Sequence, residues 1–286
     1  MNLLSVNEIK NLLNKYETKP SKGLGQNFLI DENILKKIIE SAGIKINDII
    51  LEVGPGIGTL TRELTKLSKK VIAVEKDKTM VEILKETTKD FKNIEIIQGD
   101  ILKSELQLPK KYKIVANIPY YLTSPLIRKF LENPPSANQP EEIILMLQKE
   151  VAQRICAKPP EMSLLAASVQ FYAEPKIISY VSKSCFWPSP KVDSAIISII
   201  PQKKYEVSAD LFFKVVKAGF SQPRKQLVNN FSGLKFLNGV KLDKVKISNW
   251  LLKNNIKPNQ RAETLSLLDW ASLTKNFKFN NQKYLC

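Results

Sequence analysis

The chain has no histidine among its 286 residues. That excludes every mechanism built on an imidazole, whether a Ser-His or Cys-His nucleophile pair or a His-ligated zinc. Cysteine is scarce too. Cys156, Cys185 and Cys286 are far apart and odd in number, which argues against a disulfide framework and for a reducing, cytoplasmic compartment. No stretch approaches the roughly 18 uninterrupted apolar residues of a membrane helix. The N-terminal stretch carries charges of both signs and no apolar h-region, so a cleaved secretion signal is not expected. Internal repeats and low-complexity segments are missing as well. What remains is globular composition, 43% hydrophobic and 25% charged, which leaves no place for disorder or fibre. The length suits one large domain or two ordinary ones.

Charge is abundant and of one sign. Lys and Arg number 44 against 28 Asp and Glu, a net +16. Such a field favours a polyanionic partner, either nucleic acid or an anionic membrane face. Residues 203–286 hold 16 basic and 5 acidic residues, whereas residues 1–202 hold 28 and 23. A Lys-rich composition alone raises the net charge without concentrating it in the last third.

Residues 1–22 read as a short basic amphipathic helix and a tail. From Asp48 to about Pro201, apolar runs alternate with segments of helical spacing. The runs are Ile49–Leu51, Val71–Val74, Ile94–Ile97, Ile114–Ala116 and Ile143–Leu147. Strand and helix in alternation imply an α/β fold with a parallel sheet covered by helices. Lys176–Val181 and Val192–Ile200 add an antiparallel pair joined through Pro188–Pro190. Beyond Pro201 the strand signals fade, and helices are expected at Ala209–Phe220, Leu242–Lys253 and Thr264–Asn276. The expected domains are therefore 1–202 and a basic helical 203–286.

Glu52-Val53-Gly54-Pro55-Gly56-Ile57-Gly58 follows the first long strand and opens a helical segment. Glycines here let the backbone turn tightly and approach a ligand. A dinucleotide fingerprint requires its third glycine at position 59, which is Thr59. The pattern is instead GxGxG with an acid two residues ahead, and it resembles the loop of Rossmann-like methyltransferases that bind S-adenosylmethionine. An acid ahead of the loop suits a cationic amino acid end and repels a pyrophosphate. Glu75 ends the next strand and can accept from both ribose hydroxyls. Asp100, in Gln98-Gly99-Asp100-Ile101, can accept from an adenine amino group. One glycine loop is commonly only a structural turn, but three such features at successive strand ends make a nucleoside site.

Asn117-Ile118-Pro119-Tyr120 closes the following strand. The exocyclic amine of adenine is a poor nucleophile because its lone pair is delocalised into the ring. A carboxamide oxygen and a main-chain carbonyl can both accept from that NH2, pulling it toward tetrahedral geometry. Pro119 fixes the backbone that presents the Ile118 carbonyl, and Tyr120 can stack on the base. Phe186, on the Pro-rich Cys185–Asp193 stretch, reads equally as a core aromatic or as one that sandwiches an extruded base.

The chain resembles the ribosomal RNA adenine dimethyltransferases, and their small-subunit branch in particular. The resemblance runs along the whole chain through Gly25–Leu29, Glu52–Gly58, Glu75, Gly99-Asp100, Asn117–Tyr120, Leu147–Ala152, Pro188–Ala195 and Phe220–Lys225. It implies a Rossmann-like methyltransferase sheet with a smaller helical C-terminal domain. It implies S-adenosylmethionine as cofactor, with Asn27, Leu29, Gly54, Gly56, Glu75, Asp100 and Asn117 around it. It also implies Phe186 stacked on the target adenine and dimethylation of two adjacent adenosines in a 3′-terminal hairpin of small-subunit (16S) RNA. The partner is then that RNA within the 30S particle rather than a membrane, with the protein a monomer and a role in subunit biogenesis. Arg224 and Lys225, opening a helical stretch, are expected on phosphates. Lys22, Lys15 and Lys19 lie just ahead of the donor motif and are candidates for the same role. Two departures concern RNA docking. Lys225 stands where the family often has a second arginine, and Lys158–Met162 lacks the family's glycines.

Other readings share these motifs. The large-subunit adenine methyltransferases of macrolide resistance have the same donor loop, but Pro188–Ala195 and Arg261–Leu265 favour the small-subunit branch. DNA adenine methyltransferases more usually place a second proline where Ile118 stands. A ribosome-assembly factor, or an organellar transcription factor of related fold, would tolerate loss of Asn117 or Glu75, and both are present.

Overall fold

The computed structural model describes residues 1–132, 138–232, 235–236, 240–241 and 243–277. The chain divides into two compact units, Met1–Gln153 with Ala173–Gln202, and Arg154–Tyr172 with Lys203–Cys286. The elements in chain order are α1 (Val6–Lys15), β1 (Phe28–Leu29), α2 (Glu32–Ala42), β2 (Ile49–Val53), α3 (Thr59–Leu67), β3 (Lys70–Glu75), α4 (Lys78–Thr87) and β4 (Ile94–Gln98). They continue with β5 (Lys113–Asn117), α5 (Thr123–Leu131), β6 (Glu142–Gln148), α6 (Lys149–Ile155), α7 (Leu164–Gln170), β7 (Ala173–Val181), β8 (Phe186–Trp187) and β9 (Ser194–Pro201). The rest are α8 (Ala209–Gly219), α9 (Leu227–Ser232), β10 (Lys235–Phe236), β11 (Val240–Lys241), α10 (Lys244–Lys253) and α11 (Leu267–Lys275).

The first unit is a seven-stranded sheet in the order β4-β3-β2-β5-β6-β9-β7. Strands β2 to β6 pair in parallel, and β9 and β7 add antiparallel. Near-continuous apolar runs such as Val71–Val74 and Ile143–Leu147 are buried because helices cover both faces of such a sheet. One layer packs Leu35, Ile38 and Ala42 of α2 and Leu60 and Leu64 of α3 against Ile50, Val71, Val115, Ile144 and Ile196 of the sheet. A satellite cluster seats Ile9, Leu12 and Leu13 of α1 on Phe28, Ile57, Met80 and Ile83. From β2 the chain runs outward through β3 and β4, then returns to place β5 on the other side of β2. The order reverses there, and the reversal opens a crevice at the carboxyl ends of β2 and β5, where open α/β sheets bind ligands.

The expected strands are present with shifted ends. β7 starts at Ala173, ahead of the expected Lys176, and carries Pro175 on the outer edge of the sheet. An edge strand tolerates a residue with no N–H to donate. The two-residue ribbon of β1 and β8 was not expected, because so short a pairing shows no sequence period.

The second unit packs α7 and α8 with α9 to α11 around Phe212, Phe231 and Trp270. Its composition corrects the expected boundary. Residues 154–172, expected in the first domain, supply Met162, Ala166, Ala167 and Phe171 to the helical core. The Phe171 ring stacks on Phe212 with centroids 4.2 Å apart. The change of unit falls inside α6, where no proline, glycine or charge run marks it. α11 begins at Leu267 rather than Thr264, because Ser266 and Asp269 form a reciprocal capping box there. α10 has Asp243 as N-cap; Leu242, the expected start of that helix, lies outside the described residues, as does Cys286. Neither Cys156 nor Cys185 is in a disulfide.

Candidate active site

The glycine loop turns where β2 ends. Gly54 has φ 66° and Gly58 φ 91°, conformations that L side chains rarely adopt. A Cβ on Gly54 would lie 3.4 Å from Pro119, and one on Gly58 would lie 2.9 Å from both Leu84 and Thr87. The Gly54 N–H donates to the Val74 carbonyl at 2.9 Å, tying the loop to β3. The Gly56 N–H donates to Glu75 Oε2 at 3.0 Å.

Glu75, at the end of β3, is only 8% exposed. Its Oε1 accepts from the Asp77 N–H at 2.9 Å, and the Lys76 N–H adds to this, so backbone N–H groups hold both carboxylate oxygens at the edge of the cleft. Burial raises its pKa. Asp100 sits two residues beyond β4. Its Oδ1 accepts from the Leu102 N–H and its Oδ2 from Lys76 Nζ at 3.1 Å. The Leu102 hydrogen bond, followed by Lys76, holds its pKa down.

Glu52 departs from what the sequence suggested. It is 1% exposed, and burial pushes its pKa up to about 8. The expected anion is thus mostly protonated at neutral pH in the free protein. Its Oε2 is buried with no hydrogen-bond partner. An orphaned oxygen of that kind in a cleft wall fits a ligand that brings its own donor or positive charge.

On the facing side, Asn117 ends β5. The Ile118 N–H donates to the Met146 carbonyl, and a 3₁₀ turn, Tyr120–Leu122, follows Pro119. The Tyr120 hydroxyl lies 2.9 Å from Ser194 Oγ, so the ring is anchored at its far end. Asn27 donates from Nδ2 to the Gly25 carbonyl at 3.0 Å. Leu29 pairs with Phe186 in the β1–β8 ribbon. Phe186 is 4% exposed and packs with Leu29, Val181 and Ile196. It is a core aromatic that also lines the cleft.

One open cleft gathers these groups. Asn27, Leu29, Gly54, Gly56, Glu75, Asp100, Asn117, Ile118, Pro119, Tyr120 and Phe186 all line it. Residues not singled out from sequence line it as well. Lys76 pairs with Asp100, and Gln26 clasps Asp77 through Nε2 at 2.9 Å. Only Gln26 lay within a quoted motif; Lys76 had no signal beyond following Glu75. The cleft has acceptors for hydroxyls and amines at one end and an orphaned carboxyl oxygen in its wall, and so fits an adenosyl group bearing a cationic amino acid.

The basic residues lie elsewhere. Lys22 is exposed on the segment leading into β1. Lys15 is already committed to Glu86 at 2.6 Å. Arg224 and Lys225 are exposed in the second unit, in a turn closed by the Lys225 N–H donating to the Gln222 carbonyl. They precede α9 rather than opening a helix as expected.

The family model described as "Ribosomal RNA adenine dimethylase" matches residues 18–275. The chain is 43% identical to a ribosomal RNA small subunit methyltransferase A of Clostridioides difficile, over 95% of this chain and 96% of that protein. It is 41% identical to the protein of that name from Bacillus licheniformis, over 94% and 95%. A solved dimethyladenosine transferase from Plasmodium falciparum superposes with a TM-score of 0.71 at 30% identity, over 86% of this chain and 95% of that one. The 23S rRNA methyltransferase ErmE superposes with a TM-score of 0.70 at 24% identity, over 87% and 99%, a likeness of fold.

Proposed function

The chain belongs to the ribosomal RNA adenine dimethylase family, and on that footing we propose that it dimethylates the N6 amine of two adjacent adenosines in the 3′-terminal hairpin of small-subunit RNA. The observation that carries this reading is the convergence of Gly54, Glu75, Asp100 and Asn117 on one cleft. S-adenosylmethionine supplies a methyl group on a sulfonium centre already activated for attack. Glu75 accepts from the ribose hydroxyls, Asp100 from the adenine amine of the donor, and Glu52 faces the cationic amino acid end. The Asn117 carboxamide oxygen and the Ile118 carbonyl accept from the target N6 and turn its lone pair out of the ring plane. Tyr120, held by Ser194, and Phe186 offer aromatic faces to the extruded base. No residue needs to act as a strong base, because the proton leaves N6 after the new bond forms; this suits a chain without histidine.

The first unit serves as the catalytic domain and the basic second unit as the RNA-binding one. Lys22, Arg224 and Lys225 contact phosphate. The protein acts as a cytoplasmic monomer on the 30S particle. No helix among the described residues is long and apolar enough to cross a membrane.

The test is incubation of purified protein and methyl donor with unmethylated small subunits and, in parallel, large subunits. The RNA is then digested and its methylated nucleosides are quantified by mass spectrometry. Dimethyladenosine from small subunits alone is the expected result. Product from large subunits alone would move the chain to the resistance branch. No product from either, with donor bound, would point to an assembly factor. Asn117→Ala should bind donor and slow the reaction at least about a hundredfold, the scale of removing one oxyanion-hole donor; wild-type turnover in that variant would sink the catalytic assignment.

A further inference from the structure

Lys129 lies on α5, the helix that follows the Asn117–Tyr120 segment. Its ammonium group donates to three backbone carbonyls, Ile101 at 2.7 Å, Leu102 at 3.2 Å and Ser104 at 2.8 Å. All three donors of a lysine are thereby used on one five-residue turn. That turn begins at Asp100, whose main-chain carbonyl accepts from the Lys103 and Ser104 N–H groups, both at 2.9 Å. The Asp100 side chain accepts from the Leu102 N–H within the same turn at 3.0 Å. The carbonyl end of the turn would otherwise present unpaired acceptors in a partly buried place. Partial burial lowers the pKa of Lys129, while Asp100 and Glu105 oppose that shift. Motif reading gave no reason to single out this residue, because its partners are all main-chain atoms.

We propose that Lys129 is a positioning residue for donor recognition, fixing the Asp100 turn so that the carboxylate meets the 6-amino group of the donor's adenine. The proposal rests on the reading of Asp100 given above. The chain connection from the target-amine segment through α5 to the donor-base turn then runs through one ammonium group. With the cation gone, the turn keeps its internal hydrogen bonds and the Lys76 contact to Asp100 Oδ2, but the carbonyls of Ile101, Leu102 and Ser104 lose their anchor. Asp100 swings, and selection for the amine weakens.

The experiment compares binding of S-adenosylhomocysteine with its inosyl analogue by calorimetry. The analogue presents a 6-oxo group to Asp100 in place of the 6-amino group. Wild type should prefer the adenosyl ligand. Lys129→Met should weaken the adenosyl ligand by roughly tenfold, the worth of one hydrogen bond to a charged group, and leave the inosyl ligand nearly unchanged. Lys129→Arg, still cationic, should retain most of the preference. Lys129→Gln, which keeps one donor to the turn, reports the same difference should Lys129→Met fail to fold. Equal losses for both ligands, or no loss in either, would overturn the positioning role while leaving the donor site intact. A wild-type protein that binds both ligands alike would overturn the reading of Asp100 itself, and this proposal with it.

Discussion

Leu29 and Phe186 face each other as direct partners in an antiparallel ribbon, and the Ile30 N–H extends it by donating to the Cys185 carbonyl at 2.9 Å. One residue lines the cleft from the segment assigned to the methyl donor, the other from the loop assigned to the target base. The two walls are one piece of backbone hydrogen bonding, so neither moves alone. Packing within the buried cluster around Ile196 and Val181 sets the orientation of the Phe186 ring.

Phe186→Leu keeps most of the buried volume and removes the aromatic face. Single-turnover methylation should slow by about tenfold to a hundredfold, matching the roughly 1–3 kcal/mol of a base–aromatic stack. Donor affinity measured by calorimetry should stay within about twofold of wild type. Unchanged turnover would mean that the ring serves packing only.

Glu52 ties stability to pH. Its carboxyl titrates near 4.5 when unfolded and at about 8 when folded. The unfolded chain therefore releases this proton first as pH rises. The stability linked to Glu52 is fully present below the unfolded value and is lost progressively as pH climbs from about 4.5 through about 8. Glu52→Gln removes that loss. Across pH 5 to 8 the Tm of the variant should gain on wild type, at about 3 °C per kcal/mol for a chain of this size. Parallel Tm curves in differential scanning fluorimetry would contradict the assignment.

Arg224→Ala with Lys225→Ala should weaken RNA binding most at low salt. The slope of log K against log salt should fall by about 0.7 to 0.9 for each phosphate that is no longer neutralised. Filter binding across a salt series gives the slope, and calorimetry should show donor binding untouched. An unaltered slope would make these two residues a solvated face.

Gly219 closes α8 against the indole of Trp270, and a Cβ there would collide with that ring. Gly219→Ala should cost about 1–3 kcal/mol as overpacking of a filled core. Chemical denaturation reads this directly. A stability equal to wild type would mean that the ring relaxes freely.

The sequence made the sheet legible because the apolar runs from Ile49 to Leu147 are long, and their period matches strands buried on both faces. The donor groups were legible because each stands at a strand end, where spacing alone puts them in register. Less visible was whatever depends on partners distant in sequence. The protonated state of Glu52 comes from its near-complete burial once the chain is folded, which residue type alone does not reveal. The Lys129 anchor uses carbonyls, which every residue has, so no residue type betrays it. Arg224 and Lys225 sit in a turn rather than a helix, and the turn's partner is a bridge between Gln226 and Arg261. The boundary at Gln153 left no mark, because α6 runs straight through it.

That boundary also bears on how the chain is made. The polypeptide enters the helical unit at Arg154, leaves it after Tyr172 and returns at Lys203. On a translating ribosome, the stretch carrying Met162 and Phe171 emerges before any of the helices that will cover it. Its apolar face must wait for Phe212 and finally for Trp270, while the last two strands of the sheet are synthesised in the interval. The nascent chain thus carries an uncovered apolar segment until α8 to α11 have emerged, the kind of transient exposure that invites misassembly. A shortened chain ending near Gln202 would keep that segment bare for good.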